Sequence, residues 1–286
     1  MNKGLYQFCQ KKFKTLCNGK LKLSSSLTRL NNEYSFGDIK EGYLHFIDND
    51  RQALIERVFQ ENGLELFRDP YPDLQSRREV AGGDRNEKNN AYPVSRNYVL
   101  VNSLHTIRLN QQVHTVSPFT AFGLTINADQ ITSIEHQKIV FVENLEIMAV
   151  LDKLNMPESL QEALWLYRGE VREDRSTMKA YQFFRRFAGS HQLVCFSDLD
   201  PAGIEIALTS GAHHWLTPQD SSIINMKLLG AENEWFNQQK SITYLKQKTD
   251  LAEKCQQAFD EMCRQRKTLK QEHMLGHNIK LALYPL

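Results

Sequence analysis

Residues 138–142, Lys-Ile-Val-Phe-Val, form a continuous apolar run, the mark of a strand covered on both faces. Apolar residues then recur at 145, 147, 148, 151 and 154, a helical spacing that predicts a helix over 145–154. A second short apolar run at 163–167 ends in Arg168-Gly169 and predicts a second strand. A helix follows over 176–187, apolar at 180, 183, 184 and 187. Residues 193–196 predict a third strand, 204–208 the body of a third helix and 214–216 a fourth strand. Strands alternating with helices through short connections are the pattern of parallel βαβ units, so residues 131–286 read as an α/β domain. Residues 237–275 are rich in Lys, Gln and Glu around an apolar stripe at 242, 245, 251, 255, 259, 262 and 269, which predicts one or two long amphipathic helices closing that domain.

The first 130 residues are patterned differently. Asp48-Asn49-Asp50, the polar-apolar run 51–61 and Gly63 predict a capped helix with a C-terminal glycine. Residues 98–101 and 106–109 suggest a β-ribbon, and 122–126 a further strand. Helices followed by antiparallel strands are the ingredients of a winged-helix module, an α+β domain over 1–130. Neither half shows an internal repeat or a low-complexity tract.

Composition narrows the class. The 286 residues are 41% hydrophobic and 24% charged, an ordinary globular balance. No apolar run reaches the roughly 18 residues of a membrane-spanning helix, and the first 14 residues lack the apolar stretch of a secretion signal. Five cysteines at 9, 17, 195, 255 and 263 contain no Cys-x-x-Cys, so neither a disulfide framework nor a zinc site is expected, and a reducing cytoplasm fits. The net charge of +1 argues at first against a nucleic-acid ligand. It averages unlike parts. Residues 1–30 hold six lysines, among them Lys11, Lys12 and Lys14, one arginine and no acid, whereas residues 31–75 are acidic. A second basic stretch carries Arg77, Arg78, Arg85 and Lys88 around Gly82-Gly83. These two segments are candidate phosphate contacts, or a solvated helix face and a surface loop.

Candidate chemistry sits where two of the predicted strands end. The first runs into Val142-Glu143-Asn144 and the third into Ser197-Asp198-Leu199-Asp200-Pro201-Ala202-Gly203. In open parallel sheets, ligands bind beyond the carboxyl ends of the strands, at the point where strand order reverses. Carboxylates gathered there repel unless a cation holds them, and their oxygens suit hard Mg²⁺ or Mn²⁺, an ion able to activate water against a phosphodiester. Each acid also has a plainer reading. Asp200 ahead of Pro201 is a good helix N-cap, Asp198 can cap the same turn, and Glu143 can belong to a surface ion pair.

These residues carry a family resemblance. Val140-Phe141-Val142-Glu143-Asn144 together with Phe196-Ser197-Asp198-Leu199-Asp200-Pro201-Ala202-Gly203 resembles the TOPRIM fold, whose pattern is a glutamate after the first strand and Asp-x-Asp after the third. The wording is most similar to the branch that holds the topoisomerase VI A subunit, the meiotic double-strand-break protein and the nuclease subunit of Wadjet plasmid-defence systems, in which a winged-helix module precedes a C-terminal TOPRIM domain. Lys270-Gln271-Glu272-His273 resembles a Glu-Gln-Glu element of the Wadjet subunit, with lysine replacing its first glutamate. The resemblance covers residues 135–217 well and 265–275 loosely, and it reaches the first half only through domain order.

It implies Glu143 as general acid/base or metal ligand, Asp198 and Asp200 as Mg²⁺ (or Mn²⁺) ligands, Glu205 as a further ligand or a helix-surface acid, and a part for Glu272. It implies a metal-dependent endonuclease acting on double-stranded DNA, working as a homodimer beside an SMC-type ATPase and kleisin. The topoisomerase members use a tyrosine in an Arg-Asp-x-Tyr-Tyr-like segment, which this sequence lacks. Tyr92 and Tyr98 stand in other contexts, so attack by activated water is expected over tyrosine transesterification. A non-catalytic DNA-binding or assembly subunit remains the alternative. No Gly-x-x-x-x-Gly-Lys-Ser/Thr loop supports an NTPase.

Overall fold

The computed structural model of the chain describes residues 1–72, 78, 94–169, 174–226 and 233–286. Two compact units divide between Val94 and Ser95. In the N-terminal unit, α1 (Lys3–Phe13), α2 (Ser25–Tyr34) and α3 (Asp48–Asn62) accompany β1 (Gly19–Lys22), β2 (Asp38–Lys40) and β3 (Tyr43–Phe46). These strands form an antiparallel sheet in the order β1-β3-β2. Its core gathers Tyr6, Phe13, Phe36, Phe46, Leu54 and Val58. As its sequence signals predict, α3 ends at Gly63 with φ 67°, where the glycine N–H donates to Phe59 O.

The C-terminal unit is built on a seven-stranded mixed sheet. Its strands are β4 (Tyr98–Asn102), β7 (Leu124–Asn127), β8 (Lys138–Val142), β9 (Leu164–Tyr167), β10 (Gln192–Phe196), β11 (His214–Pro218) and β12 (Leu281–Pro285), in the order β12-β11-β10-β8-β9-β4-β7. The four central strands are mutually parallel, and β12, β4 and β7 run antiparallel to their neighbours. Helices α4 (Leu145–Met148), α5 (Asp174–Arg186) and α6 (Pro201–Ser210) lie in the connections between the parallel strands. After β11 come α7 (Asn233–Asn237), α8 (Gln239–Gln247), α9 (Glu253–Gln265) and α10 (Gln271–Gly276). Among the described residues no helix is long and apolar enough to cross a membrane.

The apolar runs read from the sequence are the buried strands: Ile139 to Val142 and Leu193 to Phe196 are fully covered, and Ala180, Phe183 and Phe184 of α5, with Phe187 just after it, join the same core. Three expectations need correction. The predicted helix over 145–154 stops after Met148; Val150 leaves the helical region and a 3₁₀ turn at Leu151–Lys153 delivers Leu151 and Leu154 to the core. The expected ribbon of 98–101 with 106–109 does not form. β4 pairs with β9 and β7, while β5 (Thr106–Leu109) pairs with β6 (Gln112–Thr115). The expected boundary at 130/131 therefore moves to 94/95, because β4 and β7 extend the C-terminal sheet. All five cysteines are free, and burial pushes the Cys9 and Cys195 thiols up to about 12, well away from thiolate chemistry.

Candidate active site

The first parallel strand in the chain, β8, is flanked by the second, β9, on one side and the third, β10, on the other. Strand order reverses at β8, so a crevice opens beyond the carboxyl ends of β8 and β10. Register levels the strand ends: Val142 lies opposite both Phe196 and Tyr167. Glu143, Arg168 and Ser197 are the next residues of their strands, side by side.

Glu143 and the Asp198–Asp200 loop meet here. One oxygen of Glu143 accepts from the Asp198 backbone N–H at 3.2 Å, and the other pairs with Arg168 Nη2 at 3.1 Å. Asp198 Oδ1 accepts from the Gln271 N–H at 2.8 Å. Asp200 caps α6, accepting from the Gly203 N–H at 2.6 Å, and its second oxygen accepts from Gln238 Nε2 at 2.6 Å. The plainer reading of Asp200 as an N-cap is thus correct, and it coexists with membership of the cluster. Gly203 is fixed by packing, because a Cβ there would lie 2.0 Å from the Asp198 carbonyl oxygen. Under the loop, the Trp215 indole N–H donates to Ser197 Oγ, whose own proton goes to the Gly203 carbonyl.

A C-terminal segment completes the crevice. Leu199 and Leu269 exchange backbone hydrogen bonds at 2.8 and 3.0 Å, stitching the Asp-Leu-Asp loop to the approach of α10. Gln271 is fully buried. Its backbone reaches Asp198, its Oε1 accepts from the Asn144 N–H at 2.9 Å, and its Nε2 has no partner. Glu272 Oε2 and Arg168 Nε are also buried without partners. Lys270 pairs with Glu234 at 2.5 Å, outside the central trio.

The electrostatics follow from this crowding. Burial is the main cause that raises the proton affinity of Glu143, and the charges of Asp200 and Glu272 add to it while Arg168 opposes. Burial, then Glu143 and Asp200, push Asp198 up strongly. Burial raises Asp200 too, against the hydrogen bonds from Gly203 and Gln238. Such mutually perturbed acids in a crevice mark a functional-site candidate. Each of the three carboxylates is held by protein donors, and among the described residues no three His, Cys, Asp or Glu side chains converge as the shell of a metal ion.

The remaining predicted site residues stand apart from this trio. Glu205, further along α6, has a partly buried side chain that joins no hydrogen bond or ion pair among the described residues. Lys11 and Lys12 are exposed on the last turn of α1, and Lys14 is exposed just after it. Arg78 is exposed. Arg77, Arg85, Lys88 and Tyr92 lie outside the described residues, and Tyr98 belongs to β4. The sequence assigns no role to Arg168 or Gln238, and Gln271 enters only as the middle of the Glu-Gln-Glu-like element. The only sequence signals were the placement of Arg168 at the end of a strand and of Gln271 beside Glu272.

Residues 96–283, more than half of the chain, match the family model described as "Domain of unknown function (DUF7281)". No curated protein matches the chain.

Proposed function

The chain belongs to the DUF7281 family, and we propose that it is a divalent-metal-dependent DNA endonuclease with a TOPRIM-type catalytic domain. The observation that carries this reading is the meeting of Glu143, after the first parallel strand, with Asp198 and Asp200, after the third, at the switch point of the sheet. The donor set suits a hard cation. It consists of carboxylate oxygens only, Arg168 is hydrogen-bonded to it and Lys270 acts on Asp200 from further off, and Glu272 offers a buried oxygen without a partner. Glu143, Asp198 and Asp200 would hold Mg²⁺ or Mn²⁺ after turning from their protein partners, since as placed they do not converge as a metal shell; Glu205 is left out, since its side chain makes no hydrogen bond with them. Such an ion, when bound, lowers the pKa of water and neutralises charge on a phosphodiester.

The chain's own residues do the rest. The Glu143 carboxylate, whose proton affinity burial has raised, is suited to take a proton from attacking water. Asp200 fixes the loop through its cap on α6, and Gln271 holds Asp198 against it. In the N-terminal unit the tight β2–β3 hairpin and the helices fit a winged-helix module, and Lys11, Lys12 and Lys14 supply exposed charge for duplex phosphates. The sequence resemblance extends the proposal to a homodimeric cutting subunit beside an SMC-type ATPase and kleisin.

The test is cleavage of supercoiled plasmid with Mg²⁺ or Mn²⁺. Glu143→Ala, folded as the wild type, should lose activity by about 100-fold or more. Equal nicking by wild type and by Asp198→Ala/Asp200→Ala would sink the proposal. One observation favours a second reading, a DNA-binding or assembly subunit without catalysis: all three carboxylates already have protein partners. That reading expects no cleavage in any metal, together with salt-sensitive DNA binding that survives the acid substitutions.

A further inference from the structure

Arg168 has no role in the activity as described so far, yet among the described residues it is the one cation in hydrogen-bond contact with the trio of acids. It stands where β9 ends, its backbone N–H donating to Val142 O at 2.8 Å, so it is level with Glu143 at the crevice. Its side chain is 13% exposed. Nη2 meets Glu143, the charge lies close enough to the Tyr181 hydroxyl to act on it, and Nε is buried with no partner. Nε and Nη2 form one edge of the guanidinium, the edge that grips two oxygens of a phosphate or carboxylate in parallel. Glu143 offers that edge a single oxygen because its other oxygen is taken by the Asp198 N–H. The edge is half used.

We infer that Arg168 is the phosphate-binding residue of this crevice: its Nε/Nη2 edge exchanges Glu143 for two non-bridging oxygens of a nucleic-acid phosphate. The exchange has a consequence for Glu143, whose carboxylate is released from its ion pair when the phosphate arrives. No bond is made or broken in this step; one anionic partner of the guanidinium replaces another. The inference deepens the endonuclease reading and rests on it for its biological meaning, but its test needs no cleavage.

The probe is thymidine 3′,5′-bisphosphate, titrated calorimetrically into the full chain. Glu143→Gln removes the competing charge and should bind about five-fold or more tighter than wild type. Adding Arg168→Gln should abolish that gain, and adding Arg168→Lys, which keeps the charge but loses the edge, should restore only part of it. Arg108, which pairs with Glu162 elsewhere in the same unit, is the control; Glu143→Gln/Arg108→Gln should bind as Glu143→Gln does. Thermal melts of each variant establish that it is folded. Equal affinities for Glu143→Gln and Glu143→Gln/Arg168→Gln overturn the inference, as does an equal loss in the Arg108 control. Arg168-dependent binding by a chain that never cuts plasmid would overturn the endonuclease proposal and leave this one standing.

Discussion

Two arginine–glutamate pairs brace opposite ends of the same β8–β9 strand pair, and both measure 3.1 Å. At the amino end, Arg108 and Glu162 are 36% and 61% exposed, and Arg108 Nε is unpartnered there too. His136 sits beside them, its Nε2 accepting the Arg108 backbone N–H and its Nδ1 meeting the Glu162 carbonyl. At the carboxyl end, Arg168 and Glu143 are 13% and 20% exposed, with Asp198, Asp200 and Glu272 adding negative charge. Distance and orphaned nitrogens do not separate the pairs. Burial and neighbours do. A water-exposed pair is screened and contributes little, whereas a buried one becomes costly once one partner is taken away.

The largest expected difference comes from breaking both pairs. Arg168→Ala leaves Glu143 without its ion-pair partner, and equilibrium denaturation should show a loss of about 3–5 kcal/mol. Arg108→Ala should cost no more than about 1 kcal/mol. Equal losses would erase the distinction. Packing at the carboxyl end gives the next effect: Gly203→Ala drives a methyl into the Asp198 carbonyl and should cost about 1–3 kcal/mol, and under the endonuclease proposal it should also lower plasmid cleavage.

Smaller still, the two ends should respond to pH in opposite senses. The folded pKa of Asp198 is raised, so both states are neutral below the ordinary aspartate value of 3.8 and no penalty exists there. Above it the unfolded chain ionises first, the folded chain holds the extra proton, and stability falls as pH rises toward the raised value. Asp198→Asn should therefore stabilise the protein at neutral pH and not at pH 4. The pKa of His136 is lowered by burial, so the unfolded chain binds the proton first and stability is lost as pH falls below 6.5. His136→Gln should flatten that limb. Melts across pH 4–8 test both, and parallel profiles for the two variants would contradict the assignment.

Much of this was legible in the sequence. The runs at 138–142 and 193–196 are buried on both faces, so their composition alone announces strands, and the acids that follow them are set by those strand ends. The partnership of β4 with β9 was not legible, since hydrophobic period marks a strand but not its neighbour. The last strand, β12, was missed altogether at the sheet's edge, where its middle residues are only partly buried. Gln238 was passed over, and Gln271 was named only within a motif, for a related reason: amides carry no charge pattern, and their partners lie 38 and 127 residues away.

That separation in sequence has a kinetic side. Gln271 ties Asp198 across 73 residues and Asn144 across 127, so these are among the loops most expensive in chain entropy to close. The acids can stay hydrated and apart until the Leu199–Leu269 stitch brings α10 in. During synthesis the segment from 269 to 276 emerges after both acidic loops, and folding proceeds from the N-terminal side. The crevice therefore closes only after residues 269–276 have been made, and a shorter chain holds Asp198 without the backbone donor of Gln271.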